Sequence, residues 1–209
     1  MAQILSHQLG FHLLDSGAVY RAAGLHALNS GADLSEELSV MASLESMVAR
    51  FTPHPAGVQV HLAECDVTHE LRSEITADAA SKVAVMPNVR AALLDEQRSF
   101  RVSPGLVADG RDMGTAVFPD ADLKVFLSAS AEVRADRRAK QLKEKGMQVN
   151  IEGLIKDIAA RDERDSSRKH SPLVAAADAL VIDSSDMSVA NVAEQILTAF
   201  RAKVGENAS

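Results

Sequence analysis

The sequence predicts an α/β fold built on a parallel sheet with helices on both faces, and three observations carry that prediction. Short apolar runs at 11–14, 106–108, 123–127 and 179–182 read as buried strands. Helical periods lie between most of them, and strands alternating with helices make a parallel sheet. The third observation is the run from Leu106 to Pro119, L-V-A-D-G-R-D-M-G-T-A-V-F-P. Its strand signal ends in Asp109, Gly110, Arg111 and Asp112, so two carboxylates and a guanidinium follow directly on a buried strand. Ligands bind at the C-terminal ends of strands in such sheets. An Arg there suits phosphate, to which its planar fork can donate two parallel hydrogen bonds. The alternative is a turn with a local salt bridge.

The elements follow in order. Ile4, Leu5, His7, Gln8 and Leu9 form a helical pattern that stops at Gly10. Strand 11–14 leads into Asp15, Ser16 and Gly17, which cap a helix over 18–28, and Asn29, Ser30 and Gly31 end it. Residues 32–73 break the rhythm. A helix over 35–48 is followed by a turn-rich stretch, 51–57, and then by the alternating Val58, Gln59, Val60, His61 and Leu62. This segment reads as an insert carrying a β-hairpin. A helical stretch from 75 to about 101 breaks near Pro87, and Ser103, Pro104 and Gly105 deliver the strand 106–108. The last helix is expected over 189–202.

Composition narrows the function classes. The chain has 209 residues, 46% apolar and 24% charged, an ordinary globular balance with room for one core domain and an insert. A net charge of −7 argues against wrapping a nucleic acid polymer. Arg outnumbers Lys 14 to 8, which fits small phosphorylated ligands held by positioned forks. Cys65 is the single cysteine, so no intrachain disulfide forms and a cytoplasmic home is expected. No apolar run reaches the roughly 18 residues of a membrane span, and the first residues lack the pattern of a signal peptide. The histidines show no H-x-H or H-E-x-x-H spacing, and no metal cage is visible in the sequence. No membrane partner is expected, and a monomer is.

Two helices carry charge in unexpected places. After Ser130, an N-cap signal, Arg134, Arg137, Arg138 and Gln141 fall on one face. Three like charges there repel unless an anion lies between them; the alternative is a solvated face neutralised by Glu132, Asp136 and Glu144. In the next helix the apolar stripe Ile151, Leu154, Ile155 and Ile158 continues into Arg161, Asp165 and Arg168. Charges on a core-facing stripe cost free energy unless they line a wet cleft or hold a ligand.

Four segments together resemble the bacterial cytidylate kinases. They are L-L-D-S-G-A-V-Y-R (13–21), A-D-G-R-D-M-G-T-A-V-F-P (108–119), R-A-D-R-R-A-K-Q-L (134–142) and R-D-E-R-D-S-S-R (161–168). The resemblance implies a P-loop nucleoside monophosphate kinase of pyrimidine metabolism that moves the γ-phosphoryl of ATP, with Mg²⁺, onto CMP or dCMP. It implies a core over 1–31 and 74–209, a nucleoside-monophosphate-binding insert over 32–73 and a helical lid over about 129–170. It also implies roles. Arg21, Arg111 and Arg168 hold the acceptor phosphate, with Ser16 and Tyr20 beside them. Ser81, Arg90 and Asp112 read cytosine, whose amino group a carboxylate accepts and whose carbonyl and ring nitrogen a hydroxyl and an Arg can donate to. Arg161 and Asp165 meet the ribose. Arg134, Arg137 and Arg138 are the catalytic lid arginines, and Asp109 is placed to contact a water of Mg²⁺. Phosphoryl transfer needs mainly positioning and charge stabilisation, so arginines from several elements are the expected machinery.

One departure stands out. The family opens with a strand and a G-x-x-x-x-G-K-[ST] loop, yet none of the eleven glycines here is followed by Lys. That strand is a central one, so its loss is expected to leave unpaired backbone and exposed apolar faces. Three explanations are open: a start at the wrong Met, a fragment that binds CMP without transferring anything, or a non-catalytic relative. The intact acceptor-side residues favour the first. Another nucleoside monophosphate kinase is the alternative among enzymes.

Overall fold

Helix α1 (Ala2–Leu9) stops at Gly10, whose φ of 66° lies in the left-handed region that a side chain resists. Strand β1 (His12–Asp15) follows, one residue later than the apolar run suggests. Asp15 then caps α2 (Ser16–Asn29) by accepting from the Ala18 amide at 2.9 Å. The computed structural model describes residues 1–54, 57–144, 146, 148–167 and 172–207, without the side chains of 206 and 207. The chain divides into two compact units, Ala2–Gly110 and Arg111–Ser209.

In the first unit, α3 (Glu37–Leu44) is shorter than the expected 35–48. Ser hydroxyls end it: Ser43 donates to the Val40 carbonyl at 2.7 Å and Ser46 to the Ser43 carbonyl at 3.0 Å, competing with further helical turns. The expected hairpin is present but larger. Strand β2 (Ala49–His54) pairs antiparallel with β3 (Gly57–Leu62), and β3 with the short β4 (Cys65–Asp66). Pro53, expected in a turn, lies opposite Val58 inside β2. It is tolerated because β2 is an edge strand and needs no second ladder there.

One face of that hairpin carries Phe51, Val58, Val60 and Leu62, which pack on Ala18, Ala22 and Leu25 of α2 to form the buried cluster of this unit. Helix α4 (Glu74–Val83) crosses α2 at very short range. A Cβ on Gly24 would stand 2.7 Å from the Ala80 amide nitrogen, so only glycine allows the approach. Pro87 starts α5 (Pro87–Ser99), as its missing N–H permits. Strand β5 (Leu106–Asp109) then pairs parallel with β1 in the register Leu13–Val107 and Asp15–Asp109.

In the second unit, a π turn at Met113–Val117 leads to β6 (Val125–Ser128), the helices α6 (Ala131–Glu144) and α7 (Ile151–Ser166), β7 (Leu180–Asp183) and α8 (Val189–Asn207). Strands β6 and β7 pair parallel. The parallel strands expected from sequence are therefore present. They make two separate two-stranded parallel sheets, β1–β5 and β6–β7. Each of these four strands has one hydrogen-bonded neighbour, and no described strand pairs with both sheets. No helix among the described residues is long and apolar enough to cross a membrane.

Candidate functional site

The sequence places its chemistry at the C-terminal ends of parallel strands, and the structure puts polar groups there in both units. Asp15 and Asp109 stand side by side where β1 and β5 end. Asp15 is engaged as the cap of α2. Ser16 is only 3% exposed and donates to Gln97 Oε1 at 2.7 Å. Gln97 in turn donates to the Leu93 carbonyl at 3.1 Å. Gln97 escaped the sequence reading, although Val89, Leu93 and Gln97 recur at four-residue spacing and so share one buried face of α5.

Arg21 folds its guanidinium over Gly17, where a Cβ would stand 3.6 and 3.7 Å from its two terminal nitrogens. Arg90 lies above the Tyr20 ring, 5.7 Å from the centroid, and donates to the Ala84 carbonyl at 3.2 Å. Ser81 donates to the Ala77 carbonyl one turn back at 3.0 Å. Of the residues expected in this unit, Tyr20 and Arg90 are thus in direct contact.

In the second unit Asp112 is 5% exposed and opens the π turn. Arg111, the residue before it, pairs through Nε with Asp165 Oδ2 at 2.9 Å, and Arg161 approaches the same oxygen at 3.9 Å. The Asp165 side chain is 3% exposed, so a buried carboxylate on α7 is neutralised by arginines from two elements. The charged continuation of the α7 stripe is therefore a built feature. Arg168 lies outside the described residues.

On the face shared by Arg134, Arg137 and Arg138, two of the arginines reach acceptors on other elements. Arg134 forms a two-pronged pair with Asp162 of α7: Nη1 donates to Oδ1 at 2.9 Å and Nη2 to Oδ2 at shorter range. Its Nε also donates to the Ala129 carbonyl at 3.0 Å. The hydrogen bond from Arg134 holds the Asp162 carboxyl below its ordinary range, with Arg111 and Arg161 adding to the effect; the same bond raises Arg134. Arg137 points to the turn after β7, where it donates to the Ser184 carbonyl at 2.6 Å and to Ser184 Oγ at 3.2 Å. Arg134 thus takes its hydrogen-bonded carboxylate from Asp162, with the charge of Glu132 adding to the effect, and Arg137 takes a backbone carbonyl and a hydroxyl. Asp162 was missed from sequence. Its place at i+4 from Ile158 and i+7 from Ile155 puts it on the same stripe and could have found it.

Among the described residues no group of three His, Cys, Asp or Glu side chains is placed to hold a metal ion. The arrangement is instead rich in arginines held by carboxylates or backbone acceptors, a set of forks suited to phosphate oxygens. A family model described as Cytidylate kinase matches residues 1–202.

The chain belongs to the cytidylate kinase family.

Relatives named cytidylate kinase share about half their residues with it. The protein from Aeromonas salmonicida (strain A449) is 47% identical over 206 residues, covering 99% of this chain and 90% of the relative. That from Klebsiella pneumoniae (strain 342) is 48% identical over 204 residues, 98% and 90% of the two chains. That from Proteus mirabilis (strain HI4320) is 49% identical over 197 residues, 94% and 88%. The family match takes in both units, so the charged α6–α7 region belongs to it as much as the α2 region does.

Proposed function

We propose that this chain serves, together with an ATP-gripping loop of the G-x-x-x-x-G-K-[ST] type, ATP-dependent phosphorylation of CMP or dCMP, giving CDP or dCDP. The observation that carries the reading is the carboxylate-held set Arg111–Asp165 and Arg134–Asp162 in a chain whose family match spans residues 1–202. Phosphoryl transfer asks a protein for positioned positive charge, and these pairs preorganise it.

In Ala2–Gly110, Arg21 serves the acceptor phosphate with Ser16 and Tyr20, and Ser81 and Arg90 serve the base. In Arg111–Ser209, Arg111 and Arg168 serve phosphate, Asp112 the cytosine amino group, and Arg161 and Asp165 the ribose. Asp165 also holds Arg111, so one carboxylate orients a phosphate ligand and meets a sugar. Arg134 and Arg138 neutralise the transferring group. Arg137 is assigned the same task, for which its fork must leave Ser184. Residues 32–73 act as the acceptor-binding insert, and 129–170 as the lid over a core made of 1–31 and 74–209. The enzyme works as a cytoplasmic monomer on small nucleotides.

Mg²⁺ bound with ATP would supply charge screening of the phosphates. Such an ion keeps several waters and needs few protein ligands, and Asp109 at the end of β5, beside the capping Asp15, would hold one of those waters. No Gly-Lys pair occurs in the 209 residues, so under this reading the loop that grips ATP is not among them. The 209-residue chain should therefore bind CMP yet form no CDP, and a longer chain bearing the strand and loop should do both. Titration calorimetry with CMP, UMP and AMP tests the acceptor site: CMP should bind best, and equal affinities overturn the reading. Asp112→Ala should weaken CMP binding by about 1–3 kcal/mol and narrow the gap to UMP.

A further inference from the structure

The segment after Asp112 winds into a π turn. The amides of Thr115, Ala116 and Val117 all donate to the Asp112 carbonyl, at 3.3, 2.9 and 3.3 Å, and Phe118 donates to the Met113 carbonyl at 2.7 Å. Such turns are rare and persist where the surroundings hold them, frequently at functional sites. The hold here is at Gly114. A Cβ on it would stand 3.1, 3.2 and 3.3 Å from Cγ, Cδ and Cβ of Lys124, so the turn sits directly on that lysine's aliphatic stem.

The stem is fixed at both ends. Its Nζ donates to both carboxylate oxygens of Asp178 at 2.9 Å, and its backbone carbonyl accepts from Leu180 at 2.8 Å, where β7 begins to pair with β6. The Lys124 side chain is only 11% exposed. A lysine stem that buried is packing material rather than a surface tether.

We propose that Gly114, Lys124 and Asp178 are positioning residues for Asp112, bracing the π turn and thereby setting how well the site tells cytosine from uracil. The inference rests on the reading of Asp112 given under the proposed function. Uracil carries a carbonyl where cytosine carries its amino group, so a carboxylate in place attracts one and repels the other. A turn shifted by a few tenths of an ångström weakens both effects at once. The signature is therefore a fall in the CMP-to-UMP affinity ratio, and not an equal loss for both nucleotides.

Titration calorimetry of the full chain with CMP and UMP tests this on Asp112→Ala, Gly114→Ala and Lys124→Met, each checked for folding by circular dichroism. Lys124→Met keeps the apolar stem and removes the pinned head, and it decides alone where Gly114→Ala fails to fold. Both brace variants should lower the CMP-to-UMP ratio by about threefold or more, and by less than Asp112→Ala does. If Asp112→Ala narrows the ratio while folded brace variants keep the wild-type ratio, or lose both nucleotides equally, the brace is overturned and the reading of Asp112 stands. If the unaltered chain binds CMP and UMP alike, the reading of Asp112 falls and the brace with it.

Discussion

Helices α2 and α6 are both fourteen residues long, but they are held in opposite ways. In α2 nine residues are buried, among them Val19, Ala22 and Ala23, and Gly24 lets α4 approach to backbone contact. In α6 only Ala135 and Ala139 are buried, and its Arg134 pairs with Asp162 of α7. Apolar packing is short-ranged and costly to disrupt, so α2 presents Ser16, Tyr20 and Arg21 from a rigid base. An ion pair a quarter to a third exposed is worth little and can be traded for another charge. Arginines of α6 can therefore exchange a carboxylate for a phosphate oxygen at small cost, which suits the lid role proposed for α6 and would not suit the acceptor role proposed for α2.

The largest effect that could break this contrast comes from apolar truncation. Leu25→Ala, in the buried cluster of α2, should lower stability by about 2–5 kcal/mol in urea unfolding. Leu142→Ala, half-buried on α6, should cost about 1 kcal/mol or less in the same measurement. Equal costs would mean that α6 is packed as firmly as α2.

A middle-sized effect concerns the charged stripe of α7. Asp165→Asn leaves Arg111 without its buried carboxylate and should destabilise the chain by about 1–3 kcal/mol, with a loss of CMP affinity measured by calorimetry. Unchanged stability would show that Arg111 is held by something other than Asp165.

The smallest effect sharpens the account of the lid. The Asp162 carboxyl is held below its ordinary range by Arg134, so it binds its proton less readily folded than unfolded. Its contribution is therefore present above the ordinary carboxylate range and is lost as pH falls through its lowered folded value. With the pair about a quarter to a third exposed, Asp162→Asn should cost below about 1 kcal/mol at neutral pH, and nothing in acid or at high salt. Unfolding curves at neutral pH, in acid and in added salt check the sign; a penalty that grows in acid would reverse it.

Much of this contrast was legible in the sequence. Asp15 before the α2 pattern, Gly10 and Gly31 at helix ends, and Pro87 at the head of α5 act through local backbone geometry, which is read one residue at a time. The stripe of α7 was legible too, because helical period carries Ile158 onto Arg161 and Asp165, although Asp162 on the same stripe was missed. The shortening of α3 was not, since it depends on which of several Ser hydroxyls wins a backbone carbonyl. Nor was Pro53 in a strand, which depends on that strand lying at an edge.

What the sequence determined by itself is the kind of element at each point, where charge interrupts an apolar stripe, and the family to which four spaced motifs belong. Tertiary structure alone decided the partners. Arg134 could have met Glu132, Asp136 or an anion, and it meets Asp162; Arg137, on the same face, meets the Ser184 carbonyl. The reason is physical. Periodicity fixes which way a side chain leaves its own helix, whereas an ion pair depends on what another element brings within about 3 Å.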